Sequence, residues 1–144
     1  MPEMTVPRPV LRSFRVLASN GQNRGEAAGA KIQLEVQQEI EFGLAVPDVA
    51  GVPLMVGVRV KLEAKATNEN DAENGATYTG EYEARFYYPA EVTEDTVTPL
   101  LDDPEYQYVL VAQAFPLAMI HFRRELQAMG LDARELPLGL DPFR

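Results

Sequence analysis

The chain has no cysteine and no tryptophan, a single histidine, and only two serines, Ser13 and Ser19. The missing thiols exclude disulfides, thiolate metal sites and cysteine nucleophiles together. With His121 as the only imidazole there is no second one for a metal site or a nucleophile–base pair, and its apolar surroundings make it a packed or interfacial side chain. Neither serine lies in a G-x-S-x-G elbow, so hydrolase chemistry has no support. Long hydrophobic runs are also missing. The longest uncharged stretch, Tyr106 to Phe122, falls short of the ~20 residues that cross a bilayer, so no membrane span is expected. The amino terminus lacks an apolar core of signal-peptide length, which points to a cytoplasmic protein. Positive charge is scarce too: a net charge of −9 repels phosphates at long range and argues against nucleic acid as a partner.

What is present suffices for one folded domain over residues 1–144, with 46% hydrophobic and 24% charged residues. The charges are unevenly spread. Between Glu69 and Glu105 eleven acids face the single base Arg85, whereas Arg8, Arg12, Arg15 and Arg24 oppose only Glu3 in the first 24 residues. Such an acidic stretch serves solubility or recruits a basic partner. Paired acids such as Asp102 and Asp103 invite acid–base chemistry, but their place before a helix explains them as caps. No cofactor is implied.

The dominant stretch is Pro104 to Gly130, read as one helix broken or bent at Pro116. Asp103 caps its first turn, Pro104 occupies a position that tolerates a missing donor, and Gly130 closes it. Apolar residues occupy every side of the wheel from Tyr108 to Phe122, so this half needs cover on two faces: a sheet on one and a second copy of the protein on the other. After Phe122 a wet face returns with Arg123, Arg124, Glu125 and Gln127.

The rest of the chain reads as strands. Val10 to Leu17 is an imperfect first strand, and the Gly- and Asn-rich Ala18 to Ala30 is a loop. Lys31 to Phe42 puts Ile32, Leu34, Val36, Ile40 and Phe42 on one face. Val56 to Ala66 does the same with Val56, Val58, Val60, Leu62 and Ala64, and Ala76 to Tyr88 with Tyr78, Tyr82, Ala84, Phe86 and Tyr88. Asn74-Gly75 suits the turn of a hairpin between the last two. The result is an antiparallel sheet with one greasy face under the helix and one charged face, whose acids Glu35, Glu39, Glu63, Glu81 and Glu83 are matched by Lys31, Arg59, Lys61, Lys65 and Arg85. Between the second and third strands Leu44, Val46, Val49, Val52 and Leu54 make an unusually apolar loop, which either tucks against the body or presents grease to a partner.

This order of elements, with Phe115-Pro116 leading into an apolar helix that ends at Gly130, followed by Leu136-Pro137-Leu138 and Pro142-Phe143, resembles the SecB family of protein-export chaperones. The resemblance implies an α+β protomer with a four-stranded antiparallel sheet covered on one face by the proline-interrupted helix. It implies a homotetramer, a dimer of dimers, with Val109, Ala112, Pro116, Met119 and Ile120 at the oligomer interface on the side away from the sheet. It implies a non-enzymatic chaperone that holds unfolded preproteins for translocation in a hydrophobic groove and passes them to the SecA motor. By position, Phe42, Leu44, Val46 and Val49 would line that groove, with Leu136, Leu138 and Leu140 opposite. Acids on the outer sheet face, Glu81 and Glu83 here, would engage SecA. The near balance of bases around those acids weakens that contact. The stop at Arg144, where the family continues into a full second helix and an acidic extension, fits a divergent member, for example one guarding a single antitoxin. A reading from another class is a small-ligand binder or enzyme with Tyr78, Tyr82 and Phe86 around an internal pocket.

Overall fold

The computed structural model describes residues 6–23, 32–49, 51–68, 71–131, 133 and 136. Four strands, β1 (Val10–Asn23), β2 (Ile32–Ala45), β3 (Met55–Asn68) and β4 (Asp71–Tyr87), form an antiparallel sheet in the order β1-β4-β3-β2. A one-turn helix α1 (Glu94–Val97) and a 3₁₀ turn (Leu100–Asp102) lead into α2 (Pro104–Ala128), which lies across β3, β4 and β1. The expected α+β architecture is therefore present.

Burial follows position in the sheet. On the central strands β3 and β4 the inward residues Val56, Val58, Val60, Leu62, Tyr82, Ala84 and Phe86 are at 1% exposure or less, because α2 covers that side. The rim strands leave Phe14 on β1 and Leu34, Val36, Ile40, Phe42 and Leu44 on β2 only half-buried. Every strand is longer than periodicity indicated. Ala18 to Asn23 is not a loop but the far half of β1, paired with Glu81 to Ala76 of β4. These six residues are exposed and carry no hydrophobic signal; backbone pairing with β4, a Ser19–Tyr78 hydroxyl hydrogen bond (2.6 Å) and an Asn23 amide donating to the Met129 carbonyl (2.6 Å) hold them.

The β3–β4 hairpin exists, but Asn74-Gly75 is not its turn. Asn68 already pairs with Asp71 and Gly75 sits within β4, while residues 69–70 lie outside the described set. Glycine is required there by a close approach: a β carbon would collide with the Ala66 carbonyl oxygen, next to the irregularity between Ala66 and Asn68.

Helix α2 begins as its sequence dictates, with the Asp103 side chain accepting from the Glu105 amide (3.2 Å). It ends at Gly130, whose φ of +85° lets the Leu131 amide reach back to the Leu126 carbonyl (2.9 Å). Tyr106, Leu110, Ala114, Ala118, Phe122 and Leu126 recur every fourth residue and are buried against the sheet, with Val111, Phe115 and Met119 beside them. The helix runs unbroken through Pro116. Proline removes the hydrogen bond to the Ala112 carbonyl, but Ala112 is on the exposed side, where solvent can serve that carbonyl instead.

Candidate functional site

Three surfaces merit description, the first at the crossover from β2 to β3. Pro47, Gly51 (φ +89°) and Pro53 keep this segment out of the sheet. A Val52 amide to Val49 carbonyl bond (3.4 Å) turns the chain, and Leu54, 6% exposed and pinned by the Tyr88 amide (3.0 Å), returns it to the core. Between these anchors Val46, Val49 and Val52 are 46%, 67% and 50% exposed, so the loop does not tuck its apolar side chains against the body. They continue the half-buried row of Phe42 and Leu44 on β2. Leu136 is half-buried against the core; Leu138 and Leu140 lie outside the described residues.

The second surface is the outer side of α2. Ala112 and Ile120 are exposed and Val109 and Pro116 half-exposed, as an interfacial stripe would require. Met119 is not among them: it is 2% exposed and belongs to the protomer's own core. One residue along a helix turns the side chain by about 100°, so Ile120 and Met119 face different neighbours. Tyr108, 37% exposed, joins the stripe instead. Its spacing of four from Ala112, and theirs in turn from Pro116 and Ile120, was the available signal.

The third is the outer sheet face. Register aligns Arg15, Glu83, Arg59 and Glu41 across all four strands. Glu83, expected as an accessible acid, is buried at 4% exposure beneath three arginines. Its Oε1 accepts from Arg85 Nε (2.6 Å) and from Arg15 Nε (3.1 Å) and Nη2 (3.0 Å), and its Oε2 accepts from Arg59 Nε (3.2 Å). Burial alone would push this carboxyl up; the hydrogen bonds from Arg85, Arg59 and Arg15 outweigh it and hold Glu83 below the usual carboxylate range. Arg85 is correspondingly held up by its hydrogen bond to Glu83. Sequence periodicity identified Arg59 and Arg85 on this face but not Arg15, whose position depends on bulges in β1 between Leu11 and Ser13 and between Val16 and Ala18. Glu81 remains accessible, in a hollow shared with Leu17, Glu39, Glu41, Arg59 and Lys61. Next to it Gly43 and Gly57, opposite each other on β2 and β3, leave a second hollow of about 290 Å³ bordered by Ala45, Met55, Arg59 and Glu83.

Tyr78, Tyr82 and Phe86 do not surround a pocket. They are at most 3% exposed and their rings fill the core, Tyr78 against Phe122 at 5.5 Å and Tyr82 beside Phe14 at 6.0 Å. The Tyr82 hydroxyl is buried without a hydrogen-bond partner among the described residues, and burial pushes its ionisation far above the ordinary tyrosine range. His121 is packed, stacked on Phe14 at 5.4 Å. Among the described residues no group of His, Asp and Glu has metal-binding geometry, and no helix is long and apolar enough to cross a membrane.

Neither a protein-family model nor a curated protein matches the chain. Among solved structures it is similar to the Mycobacterium tuberculosis Rv1957 SecB-like chaperone, in complex with a ChAD peptide from the Rv1956 HigA1 antitoxin. The two share 20% identity with a TM-score of 0.60 over 93% of this chain and 89% of the other. The chain thus has the SecB-like fold: a four-stranded antiparallel sheet with a long C-terminal helix.

Proposed function

We propose that this protein is a non-enzymatic chaperone that holds unfolded or partly folded client proteins on an apolar surface. The observation that carries this is the run of exposed valines at the β2–β3 crossover, Val46, Val49 and Val52, continuous with the half-buried row Phe42 and Leu44. A loop normally minimises such exposure, and an apolar strip beside a sheet rim is a surface for another chain. Burial of client side chains at ~25 cal/mol per Å² requires no sequence code, so affinity accumulates over length. Leu136, half-buried against the core, forms the opposite wall in this reading. The working form is a homotetramer built on the outer side of α2, acting in the cytoplasm.

The similar fold of a chaperone bound to an antitoxin peptide supports a dedicated client over general export of preproteins. Delivery to SecA would rest on Glu81, because the Glu83 carboxylate is already occupied by arginines. The test is suppression of aggregation of a chemically unfolded client at equimolar protomer. Wild type suppresses it; a Val46→Ser, Val49→Ser, Val52→Ser triple variant, altered only where side chains are exposed, keeps its stability and loses much of the suppression. No suppression by wild type, or full suppression by the triple variant, refutes the assignment. The rival ligand-binding reading has no observation in its favour, since the rings proposed for its pocket are packed.

A further inference from the structure

We infer that residues 6–9, ahead of β1, are a detachable strap that pins the β2–β3 crossover through two buried tyrosines, Tyr106 and Tyr88, and so regulates the apolar surface that holds clients. The inference rests on the client-holding reading and adds a control to the same site.

The seat of the strap is made of side chains. The Tyr106 hydroxyl donates to the Pro7 carbonyl (2.7 Å), the Arg8 guanidinium lies over the Tyr106 ring (5.2 Å to its centroid), and Pro9 is buried. A carbonyl can only accept, so the single hydroxyl hydrogen of Tyr106 is committed to Pro7. In the bond between the two phenols (2.8 Å) Tyr88 is therefore the donor and Tyr106 the acceptor. Both tyrosines are 3% exposed, and burial pushes both phenols above the ordinary tyrosine range, which keeps them neutral donors.

From Tyr88 the contacts reach the crossover. Its amide donates to the Leu54 carbonyl (3.0 Å), and Leu54 is where the chain re-enters the core just after the exposed Val52. Val10 and Met55, which open β1 and β3, both pair with the adjacent Tyr87. A path of three hydrogen bonds thus joins Pro7, Tyr106, Tyr88 and Leu54. A loop already pinned where it presents its valines has less freedom to lose when a client binds, so the seated strap favours holding.

The strap can leave without opening the sheet. Pro7 and Pro9 have no N–H, the β1–β4 ladder begins only at Val10, and among the described residues 6–9 make no backbone–backbone hydrogen bond. Segments held by so few contacts open at the low end of a protein's local stabilities. Departure is nevertheless felt inside, because it leaves the buried Tyr106 hydroxyl without its acceptor. The phenol pair must turn to find another, and the hold of Tyr88 on Leu54 loosens with it.

The experiment reads both ends of the path. Hydrogen exchange of the Tyr88 amide reports the pin, and fluorescence anisotropy with labelled, reduced and carboxymethylated lysozyme, which cannot refold, reports holding. Arg8→Ala alters only an exposed side chain; it should speed Tyr88 exchange and weaken lysozyme binding by about threefold, the worth of one exposed cation–aromatic contact. Tyr88→Phe cuts the link but leaves the Tyr106–Pro7 bond intact, and weakens lysozyme binding likewise. Adding Arg8→Ala to Tyr88→Phe then weakens it no further, because the strap has nothing left to transmit through; a merely structural role for each residue gives additive losses. Unchanged Tyr88 exchange in Arg8→Ala, unchanged affinity of that variant beside a wild type that binds, or additive losses in the double variant overturns the strap. If Arg8→Ala speeds Tyr88 exchange while wild type does not bind lysozyme, the client-holding reading falls and the coupling of residues 6–9 to the crossover stands.

Discussion

Ile120→Asp separates the two sides of α2. Ile120 is 42% exposed in the protomer, so about 75 Å² of apolar surface awaits cover, and burying it in an assembly contributes about 2 kcal/mol per subunit. A two-fold contact uses it twice, for about 4 kcal/mol, and aspartate in its place adds the several kcal/mol of an uncompensated buried charge. Even the apolar part alone weakens association by roughly a thousandfold. The protomer barely notices. Asp at an exposed helical position costs at most ~0.7 kcal/mol in propensity, whereas the same change at Met119, 2% exposed, would place the charge in the core and unfold the chain. Light scattering after size exclusion should show a tetramer for wild type and a smaller species for Ile120→Asp, with unchanged helical circular dichroism. A monomeric wild type, or a variant of unchanged mass, shows that the outer side of α2 is not the interface.

Glu83→Gln keeps shape but leaves the three guanidiniums without their anion; because solvent reaches the arginines, the expected loss is about 2 kcal/mol, read from urea midpoints at pH 7. The folded carboxyl titrates below its ordinary value of 4.5. Its contribution is therefore complete above pH 4.5 and is lost as pH falls through the folded value. Wild type and variant midpoints should converge below pH 4.5, and a constant gap down to pH 2 would contradict the charge pairing. At Gly75, Ala forces the strand away from the Ala66 carbonyl and costs about 1–3 kcal/mol in thermal stability. An unchanged midpoint would mean the two backbones are not in contact there.

The parts of the fold that periodicity made readable are those with one buried face. β3 and the inner half of β4 are readable because α2 covers one side and solvent wets most of the other, and β2 keeps the same alternation with its inward residues half-buried at the rim. The far half of β1 is exposed throughout, so nothing in its side chains distinguished Ala18 to Asn23 from a loop; only pairing with a 17-residue β4 makes it a strand. Asn74-Gly75 had the chemistry of a turn, yet the glycine answers a crowded carbonyl within the ladder rather than a left-handed backbone, and residue type alone does not separate those two demands.

The site shows the same division with a sharper consequence. Periodicity can say which face of a strand a residue occupies, but burial of a charged group on the wet face depends on which neighbours register brings to it. Glu83 looked like any outward acid until β1 placed Arg15 on its free side, and that placement follows from two bulges that no sequence pattern announced. In the same way Met119 and Ile120 are equally apolar in sequence, and only the angle at which α2 meets the sheet assigns one to the core and the other to solvent. The burial of Glu83 and of Met119 is accordingly set by register and helix rotation. A charge exchange is the direct way to test that. Arg15→Glu with Glu83→Arg keeps the pair but moves the excess positive charge from the β1–β4 boundary onto β4, next to Arg59 and Arg85, with no carboxylate left between the three. It should therefore fail to restore the wild-type urea midpoint, whereas full recovery would show that Arg15 and Glu83 act as an isolated pair and not as part of the cluster.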